Sequence, residues 1–310
     1  ANGWLATQFN FLDFAGSTAV HSVGGMAGLV GAMLIGPRRG WQGYNPDRIR
    51  GRRFTSQAKS FSYYNLTFST LGCLILWLGW LGFNGGSAKD IVHVPHIITT
   101  TMMAGASGGV FILFLRGLRQ DKPTLASVIN GILGGLVGIT ASSAYVSLLV
   151  ALFIGAVSSL CVLLVENLLE HYKIDDPVGA VSVHLGCGIW GTFAAGLFAH
   201  ELPPYINFPV DRIEQIISQI IGILAVNLTI LFLSILFWLA IGWAIYFVEL
   251  LNDKINRQFA TKVEIRDRAK MIYSYPQSSI VLKYLHVART ALRVSSLEEM
   301  EGSDGTFFSS

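Results

Sequence analysis

The sequence predicts an all-α bundle of membrane-spanning helices, and three observations support this fold class. The 310 residues are 52% hydrophobic and only 13% charged, and their mean hydropathy is +0.52, which is typical of a polytopic membrane protein. The apolar residues gather in seven long stretches that are separated by more polar loops. The 33 glycines favour close contacts between helices in lipid, because small residues let the backbones approach each other.

Each of the seven stretches is long enough to cross a hydrocarbon core of about 30 Å, at about 1.5 Å per helical residue. The uncharged stretch between Lys122 and Glu166 accommodates two spans, with a turn near residues 142–145. The last uncharged stretch, between Glu214 and Glu249, reaches roughly 50 Å and predicts one long tilted helix. The predicted spans are residues 12–36, 62–86, 96–115, 124–144, 146–169, 177–199 and 214–248.

The basic residues predict the orientation of the spans. Of the 22 lysines and arginines, 20 lie in the 37–61, 116–123 and 170–176 loops or after residue 250, and the alternate loops contain only Lys89 and Arg212. The positive-inside rule makes the first side cytoplasmic. The sequence therefore predicts a multi-pass protein of the cell membrane, with a cytoplasmic C-terminus.

The chain divides into two predicted regions. Residues 1–250 form the membrane region, and residues 251–310 form a polar tail of mixed charge. The tail is either a solvated helix or partly disordered segment, or a docking or regulatory arm. Because the chain starts at Ala1, close to a span and without a signal peptide, we expect the N-terminal part of a longer protein to be missing.

The composition also argues against several classes of protein. The net charge of +3 gives no indication of a nucleic-acid partner. Cys73, Cys161 and Cys187 lie in apolar spans without the spacing of a disulfide or zinc site, so we interpret them as packing residues. No nucleophile–base pair or metal-binding cluster occurs, so we predict no enzymatic activity, no cofactor and no metal ion.

Two histidines lie in apolar stretches, and each follows an aspartate by eight residues: Asp13 precedes His21, and Asp176 precedes His184. A titratable side chain in a bilayer is costly and indicates a functional site. Two of them in related segments indicate one site that an internal repeat builds twice. The two segments align without a gap, 163 positions apart (from His21 to His184), and further identities are Gly16/Gly179, Val20/Val183, Gly25/Gly188, Gly28/Gly191, Ala32/Ala195 and Leu34/Leu197.

The spacing places the two imidazoles close together. Eight helical residues rise about 12 Å, and the two aspartates start from opposite faces of a core about 30 Å thick. The axial gap between the rings is then only about 6 Å, near the midplane, and the repeats are inverted relative to each other. Such a pair can share a proton or hydrogen-bond a small polar molecule. The alternative interpretations are two buried packing histidines, or a metal site that includes Cys187.

A second run, from Trp77 to Ser87, alternates aromatic residues with glycines before an outer loop. It is either an interfacial aromatic belt or a vestibule that attracts a cation to its ring faces. In the vestibule interpretation Trp80 contributes to substrate binding, Phe83 acts as a steric gate, and Ser87 accepts a hydrogen bond from the substrate. Asp13 either caps its helix or adds negative potential that draws a cation inward, and the sequence leaves both roles open.

Three motifs in this order resemble the ammonium transporter family (Amt/MEP/Rh), on its Amt branch, over about residues 3–250. They are Asp13-Phe-Ala-Gly-Ser up to His21, Trp80-Leu-Gly-Phe-Asn-Gly-Gly-Ser87, and Asp175-Asp-Pro-Val-Gly-Ala-Val-Ser-Val-His184-Leu-Gly-Cys-Gly-Ile-Trp-Gly. The resemblance implies an eleven-span bundle of two inverted five-span repeats, assembled as a homotrimer with one pore in each subunit. On this template the chain contains spans five to eleven.

The resemblance also implies roles for the candidate residues. His21 and His184 match the twin pore histidines, and Phe83 matches the inner gating phenylalanine. Ser87 matches the serine of the outer ammonium site, and Asp13 matches the buried aspartate near it. The implied function is transmembrane transport: an outer site recognises ammonium, which loses a proton, and ammonia passes the histidines through a hydrophobic pore.

The tail resembles the family in a shorter segment. Residues 292–302 are similar to the start of the family's C-terminal regulatory tail, and about 40 extra residues (about 251–290) precede them. This similarity implies a PII-type regulatory protein as a partner. It also leaves an alternative function open, in which the chain is an ammonium sensor that signals through its tail.

Overall fold

The computed structural model describes residues 3–38, 41, 65–119, 122–200 and 211–256. These residues form α-helices and two π-helical segments, so the predicted all-α fold class is confirmed. The elements in chain order are α1 (Trp4–Phe9), π1 (Ser17–Ser22), α2 (Val23–Ile35), α3 (Leu66–Gly85), α4 (Val94–Leu118), α5 (Leu125–Ile139), α6 (Leu148–His171), π2 (Val181–Gly186), α7 (Cys187–Phe198) and α8 (Arg212–Asn256).

Within the described ranges, six helical segments are long and apolar enough to cross a membrane. Their bounds lie close to those of six predicted spans, and π1 with α2, and π2 with α7, each form one continuous segment. The six are Ser17–Ile35, Leu66–Gly85, Val94–Leu118, Leu148–His171, Val181–Phe198 and Arg212–Val248.

The remaining span, predicted over 124–144, is shorter than expected, because α5 ends at Ile139 and residues 140–146 form turns. These turns are buried, and other elements satisfy their backbone groups. The carbonyl of Ala141 accepts a hydrogen bond from the N–H of Phe14 at 3.0 Å, and the carbonyl of Ser143 accepts one from the hydroxyl of Thr100 at 2.7 Å. Non-helical backbone is tolerated in a membrane protein where protein groups supply its hydrogen bonds.

Several helices begin at a side chain that caps them. The Asn65 side chain accepts a hydrogen bond from the N–H of Phe68 at the start of α3. Thr124 and Ser127 form a reciprocal capping box at the start of α5, and the Ser147 hydroxyl caps α6. These residues satisfy N–H groups that have no partner within the helix.

Helices α4, α5 and α6 form the densest part of the bundle, and glycines allow their close approach. A Cβ atom at Gly108 would collide with the carbonyl of Gly131, and a Cβ at Gly135 or Gly155 would collide with the carbonyl of Ala104. Small residues at such crossings are typical of helix packing in lipid. Fully buried aliphatic side chains fill the adjacent space, among them Ile112, Leu136, Ile154 and Val162.

Helix α8 is a single helix of 45 residues, which corresponds to about 68 Å, and is longer than the predicted 214–248. The predicted span is bounded by the charged residues at each end of the apolar stretch. A charged residue does not end a helix, so α8 extends beyond that span. The other predictions for the tail fall on residues 257–310, outside the described residues, as does most of the 37–61 loop. The predicted orientation therefore stays a prediction.

The described residues belong to two compact units. One contains the residues up to Leu29 and those from Asn65 to Leu231, and all residues of the candidate site lie in it. In the other unit, the Trp238 ring of α8 packs so closely on Gly31 of α2 that an added Cβ would lie 2.7 Å from it.

A candidate site around two histidines

Two aspartates build the turns that lead to the histidines, and they do so in the same way. The Asp13 carboxylate accepts hydrogen bonds at 2.7, 3.0 and 2.8 Å from three successive backbone N–H groups, those of Ser17, Thr18 and Ala19. The Asp176 carboxylate accepts them at 2.9, 2.9 and 3.3 Å from Ala180, Val181 and Ser182. The donors correspond one to one in the repeat alignment. Both aspartates therefore act as helix caps, one of the two interpretations that the sequence left open for Asp13.

A glycine with positive φ precedes each π-helical segment. Gly16 has φ of 108° and Gly179 has φ of 70°, values that other residues rarely adopt. These two glycines also correspond in the alignment. The chain then enters π1 and π2, and each π-helical segment contains one of the histidines. Wide turns of this kind are rare and frequently occur at functional sites.

The two segments cross through a reciprocal pair of glycines. Gly25 lies against the backbone of Leu185, the residue after His184. Gly188 lies against the backbone of Ser22, the residue after His21, where an added Cβ would be 3.0 Å from the nitrogen. Each glycine thus contacts the residue that follows the histidine of the other segment.

This crossing brings the two imidazoles together, as the repeat alignment predicts. The ring centroids of His21 and His184 are 5.3 Å apart, and the ring planes differ by 14°, so the rings are stacked. The Nε2 atom of His21 and the Nδ1 atom of His184 are buried and have no hydrogen-bond partner among the described residues. The pair therefore offers two polar atoms, without partners in the described protein, inside an apolar bundle.

Aromatic side chains of α3 pack against the His21 ring. The Trp80 ring stacks on His21 at a centroid distance of 4.9 Å, and the Phe83 ring lies 5.5 Å from it. The Trp80 indole N–H donates a hydrogen bond to the hydroxyl of Thr140 at 2.9 Å, so the indole is fixed in place. Trp80 is buried, whereas Phe83 is 40% exposed. Trp80 thus forms a wall of the site, and Phe83 lies at its edge.

Ser87 lies beyond Phe83, in the turn that follows α3. Its side chain is exposed, and its hydroxyl donates a hydrogen bond to the carbonyl of Phe83 at 2.8 Å. The hydroxyl oxygen can still accept a hydrogen bond.

Further along the same loop, a side-chain hydrogen bond from His93 at 2.6 Å lowers the pKa of the Asp90 carboxyl.

Cys187 does not belong to the site. It is buried, and its thiol donates to the carbonyl of Ser158 at 3.3 Å. Across the described part of the chain, no group of three or more His, Cys, Asp or Glu side chains could hold a metal ion. A metal site that includes Cys187 therefore has no support here.

Three residues that support the site lie outside the sequence motifs: Thr192, Gln219 and Asn227. The Thr18 hydroxyl lies 2.7 Å from that of Thr192 and links π1 to α7. Gln219 and Asn227 of α8 form hydrogen bonds at both ends of the His21 segment. Uncharged amides in an apolar helix are the only signal in the sequence that could identify the latter two, and that signal is not specific.

Comparisons with known proteins agree with the resemblance that the sequence motifs indicate. Residues 1–256 match the Ammonium Transporter Family. The chain is 40% identical over 269 residues to the Synechocystis sp. protein sll0537, which is provisionally named an ammonium transporter, and the match covers 86% of this chain and 44% of that protein. It is 36% identical over 208 residues to the ammonium transporter Amt2 of Archaeoglobus fulgidus, with coverage of 64% and 42%.

Solved structures are also similar. A structure titled "Sensor Amt Protein" matches with a TM-score of 0.66 and 36% identity, over 77% of this chain and 56% of that chain. Saccharomyces cerevisiae Mep2 matches with a TM-score of 0.64 and 29% identity, over 77% and 53%. This chain therefore spans about half the length of the relatives that it matches. The match over most of its length shows that the chain belongs to the Ammonium Transporter Family.

Proposed function

We propose that the protein containing this chain transports ammonium across the cell membrane, and that nitrogen crosses the centre of the pore as ammonia. The observation that carries the proposal is the stacked pair His21 and His184, with ring centroids 5.3 Å apart and one buried nitrogen on each ring without a partner. Family membership supports the substrate class, because relatives that cover most of this chain are named as ammonium transporters.

Recognition takes place at the outer edge of the site. The Ser87 hydroxyl oxygen accepts a hydrogen bond from the ammonium ion, and the ring faces of Trp80 and Phe83 attract its positive charge. Asp13 contributes through its cap, which holds π1 and therefore His21, and its charge adds to the potential at the entrance. The ion stays partly hydrated here, so little desolvation is required.

Ammonium then transfers one proton to water at the outer edge, because the lane past the histidines is apolar. Moving a full cation into such surroundings costs several kcal/mol or more, whereas neutral ammonia enters at a much lower cost. The free nitrogens of His21 and His184 offer ammonia a hydrogen bond on each ring. Potassium cannot lose its charge, so it is excluded.

Phe83 closes the entrance to this lane. Its ring lies 5.5 Å from the His21 ring and 6.0 Å from the Trp80 ring, and its carbonyl accepts the hydrogen bond of Ser87. A rotation of the Phe83 side chain opens or blocks the path. Rotamer changes of exposed side chains are fast, so the gate does not limit transport on its own.

The whole protein completes the pore. His21, His184 and Phe83 are partly exposed in this chain, and the part of the family fold that this chain does not span supplies the opposite wall. We propose a homotrimer with one pore in each subunit, a cytoplasmic C-terminus, and a PII-type partner at the tail. These assignments are based on the family resemblance and on the distribution of basic residues.

Uptake of labelled methylammonium by the full-length protein tests the proposal. We expect His21→Ala and His184→Ala to change both the rate and the selectivity over potassium, because each removes one of the two rings. His171→Ala is the matched control, since His171 is an exposed histidine at the end of α6. If the two ring variants behave like wild type and like His171→Ala, the histidines are structural and the proposal fails.

A sensor is the second candidate function. The structure titled "Sensor Amt Protein" shares 36% identity with this chain, compared with 29% for Mep2 at the same coverage of this chain. A sensor binds ammonium without net flux and transmits occupancy through the tail, residues 251–310. Ammonium binding without methylammonium flux, together with loss of signalling when those residues are deleted, would identify it.

A further inference from the structure

Helix α8 forms a hydrogen bond with the residue next to His21. The hydroxyl of Ser22, which is fully buried, donates to Oδ1 of Asn227 at 2.6 Å. The Asn227 amide nitrogen donates to the carbonyl of Ile223 in its own helix at 2.8 Å. The helix therefore orients the Asn227 amide with its oxygen toward Ser22. Because Ser22 also packs against Gly188, it is held from both sides.

Two turns earlier, α8 forms a second contact, at the other end of the same segment. The Gln219 side chain accepts a hydrogen bond from the N–H of Leu12 at 2.8 Å. It also donates a hydrogen bond to the carbonyl of Leu12 at 2.6 Å. The same amide donates to the carbonyl of Thr192 in α7 at 2.9 Å. Between the two contacts, the Phe11 ring packs directly on Gly222.

Together the two contacts bracket the segment that carries the histidine. Leu12 immediately precedes Asp13, and Ser22 immediately follows His21. Gln219 and Asn227 are eight residues apart on one helix, about 12 Å, and face the two ends of this segment. The segment is thus fixed at both ends to one rigid element.

The residue after the second histidine has a different environment. Leu185, which corresponds to Ser22 in the repeat, has an apolar side chain and contacts Gly25 through its backbone. No side-chain hydrogen bond involves Leu185 in the ranges that the structure describes. The residues after the two histidines are therefore held differently: Ser22 by an amide of α8, and Leu185 by a backbone contact with Gly25.

We propose that Asn227 and Ser22 are positioning residues, through which α8 sets the orientation of the His21 ring, and that Gln219 fixes the start of the same segment. This inference builds on the proposed function, since the position of His21 affects transport only if the ring lines the path. At metal sites, loss of the partner that orients a functional histidine costs about 10- to 100-fold in activity. We expect a loss of similar order for Asn227→Leu, about tenfold in methylammonium transport rate.

The experiment uses the full-length protein in proteoliposomes. Asn227→Leu removes the acceptor at similar volume, Ser22→Ala removes the donor, and Ser22→Cys retains a weak donor of similar size. Thr229→Val is the matched control, because the exposed Thr229 hydroxyl bonds only to Ala225 of its own helix. Two properties are measured: the pH dependence of transport, and the imidazole ¹⁵N signals of His21 by solid-state NMR, assigned with His21→Ala.

We expect Asn227→Leu and Ser22→Ala to shift the His21 signals and the pH profile, and the double variant to shift them no further than either change alone. Ser22→Cys restores part of the wild-type behaviour. If Asn227→Leu does not fold, the two Ser22 variants carry the test. Unchanged His21 signals and pH profile in these variants, as in Thr229→Val, would overturn the inference. The NMR signals can be measured whether or not the protein transports its substrate. Absence of transport in the wild-type protein would contradict the proposed function, whereas the NMR comparison would still test the positioning role of Asn227 and Ser22.

Discussion

At the scale of single residues, the two aspartates show how one side chain fixes a functional turn. Asp13 and Asp176 each accept three backbone hydrogen bonds, and each follows the same spacing to a histidine. The N–H groups at the start of a helix need acceptors, and few other groups are available in an apolar bundle. The capping role alone accounts for both aspartates, and any effect of the Asp13 charge on the substrate is an additional one.

Asp13→Ala and Asp13→Asn separate these two contributions. We expect Asp13→Ala to lower the free energy of unfolding by about 2 kcal/mol or more, because three N–H groups lose a charged acceptor. Asp13→Asn keeps one acceptor oxygen and has a smaller effect. Thermal unfolding in detergent measures both changes, and Asp90→Ala, at an exposed loop, serves as the control. Equal melting temperatures for Asp13→Ala and wild type would contradict the capping role.

At the scale of helices, the sequence predicts most elements because apolar length is a strong signal in a membrane protein. Six spans agree with the structure to within a few residues, whereas the predicted 124–144 span is too long. The sequence predicts a turn near residues 142–145, but the turns begin earlier, at residue 140, where hydrogen bonds between this region and distant residues such as Phe14 and Thr100 stabilise them. The π-helical segments also escape prediction, since hydropathy does not depend on the width of a turn.

The crossing of the two histidine segments gives a prediction for α2. We expect Gly25→Ala to destabilise the protein by about 1–3 kcal/mol, because the new methyl group collides with the Leu185 backbone. Gly28→Ala is the matched control in the same helix, since a Cβ at that position meets nothing within 4 Å. It should be neutral or slightly stabilising, because alanine favours a helix over glycine. Thermal unfolding distinguishes the two variants, and equal melting temperatures would show that the crossing tolerates expansion.

At the scale of the whole molecule, the candidate site was predictable only in part. His21 and His184 are conspicuous because titratable residues are rare in apolar stretches, and the repeat alignment relates them to each other. The supporting amides of Gln219 and Asn227 were not predictable, because only the packing of α8 shows which residues they contact. The same helix also has exposed apolar side chains, so sequence alone cannot tell a lipid-facing position from a pore-facing one.

In α3, cysteine substitution in the full-length protein distinguishes a lipid-facing position from a pore-facing one. We expect Phe83→Cys to react with a charged, membrane-impermeant thiol reagent added outside, because position 83 lies at the entrance that we propose. Leu78→Cys should not react, although Leu78 is 72% exposed in this chain, because we expect an exposed leucine within a membrane span to face lipid. Methylammonium uptake after treatment measures the effect of each modification. If both positions react equally, or neither does, Phe83 does not line the entrance.

The reciprocal contacts of Gly25 with Leu185 and of Gly188 with Ser22 have a kinetic consequence for the function that we propose. Because the backbone of each segment abuts the other, one half cannot slide past its counterpart without breaking contacts at the centre. An alternating-access cycle, in which one half rocks against the other, is therefore disfavoured at this point. Turnover then depends on the entry, deprotonation and passage of the solute itself, as in a narrow channel of fixed diameter.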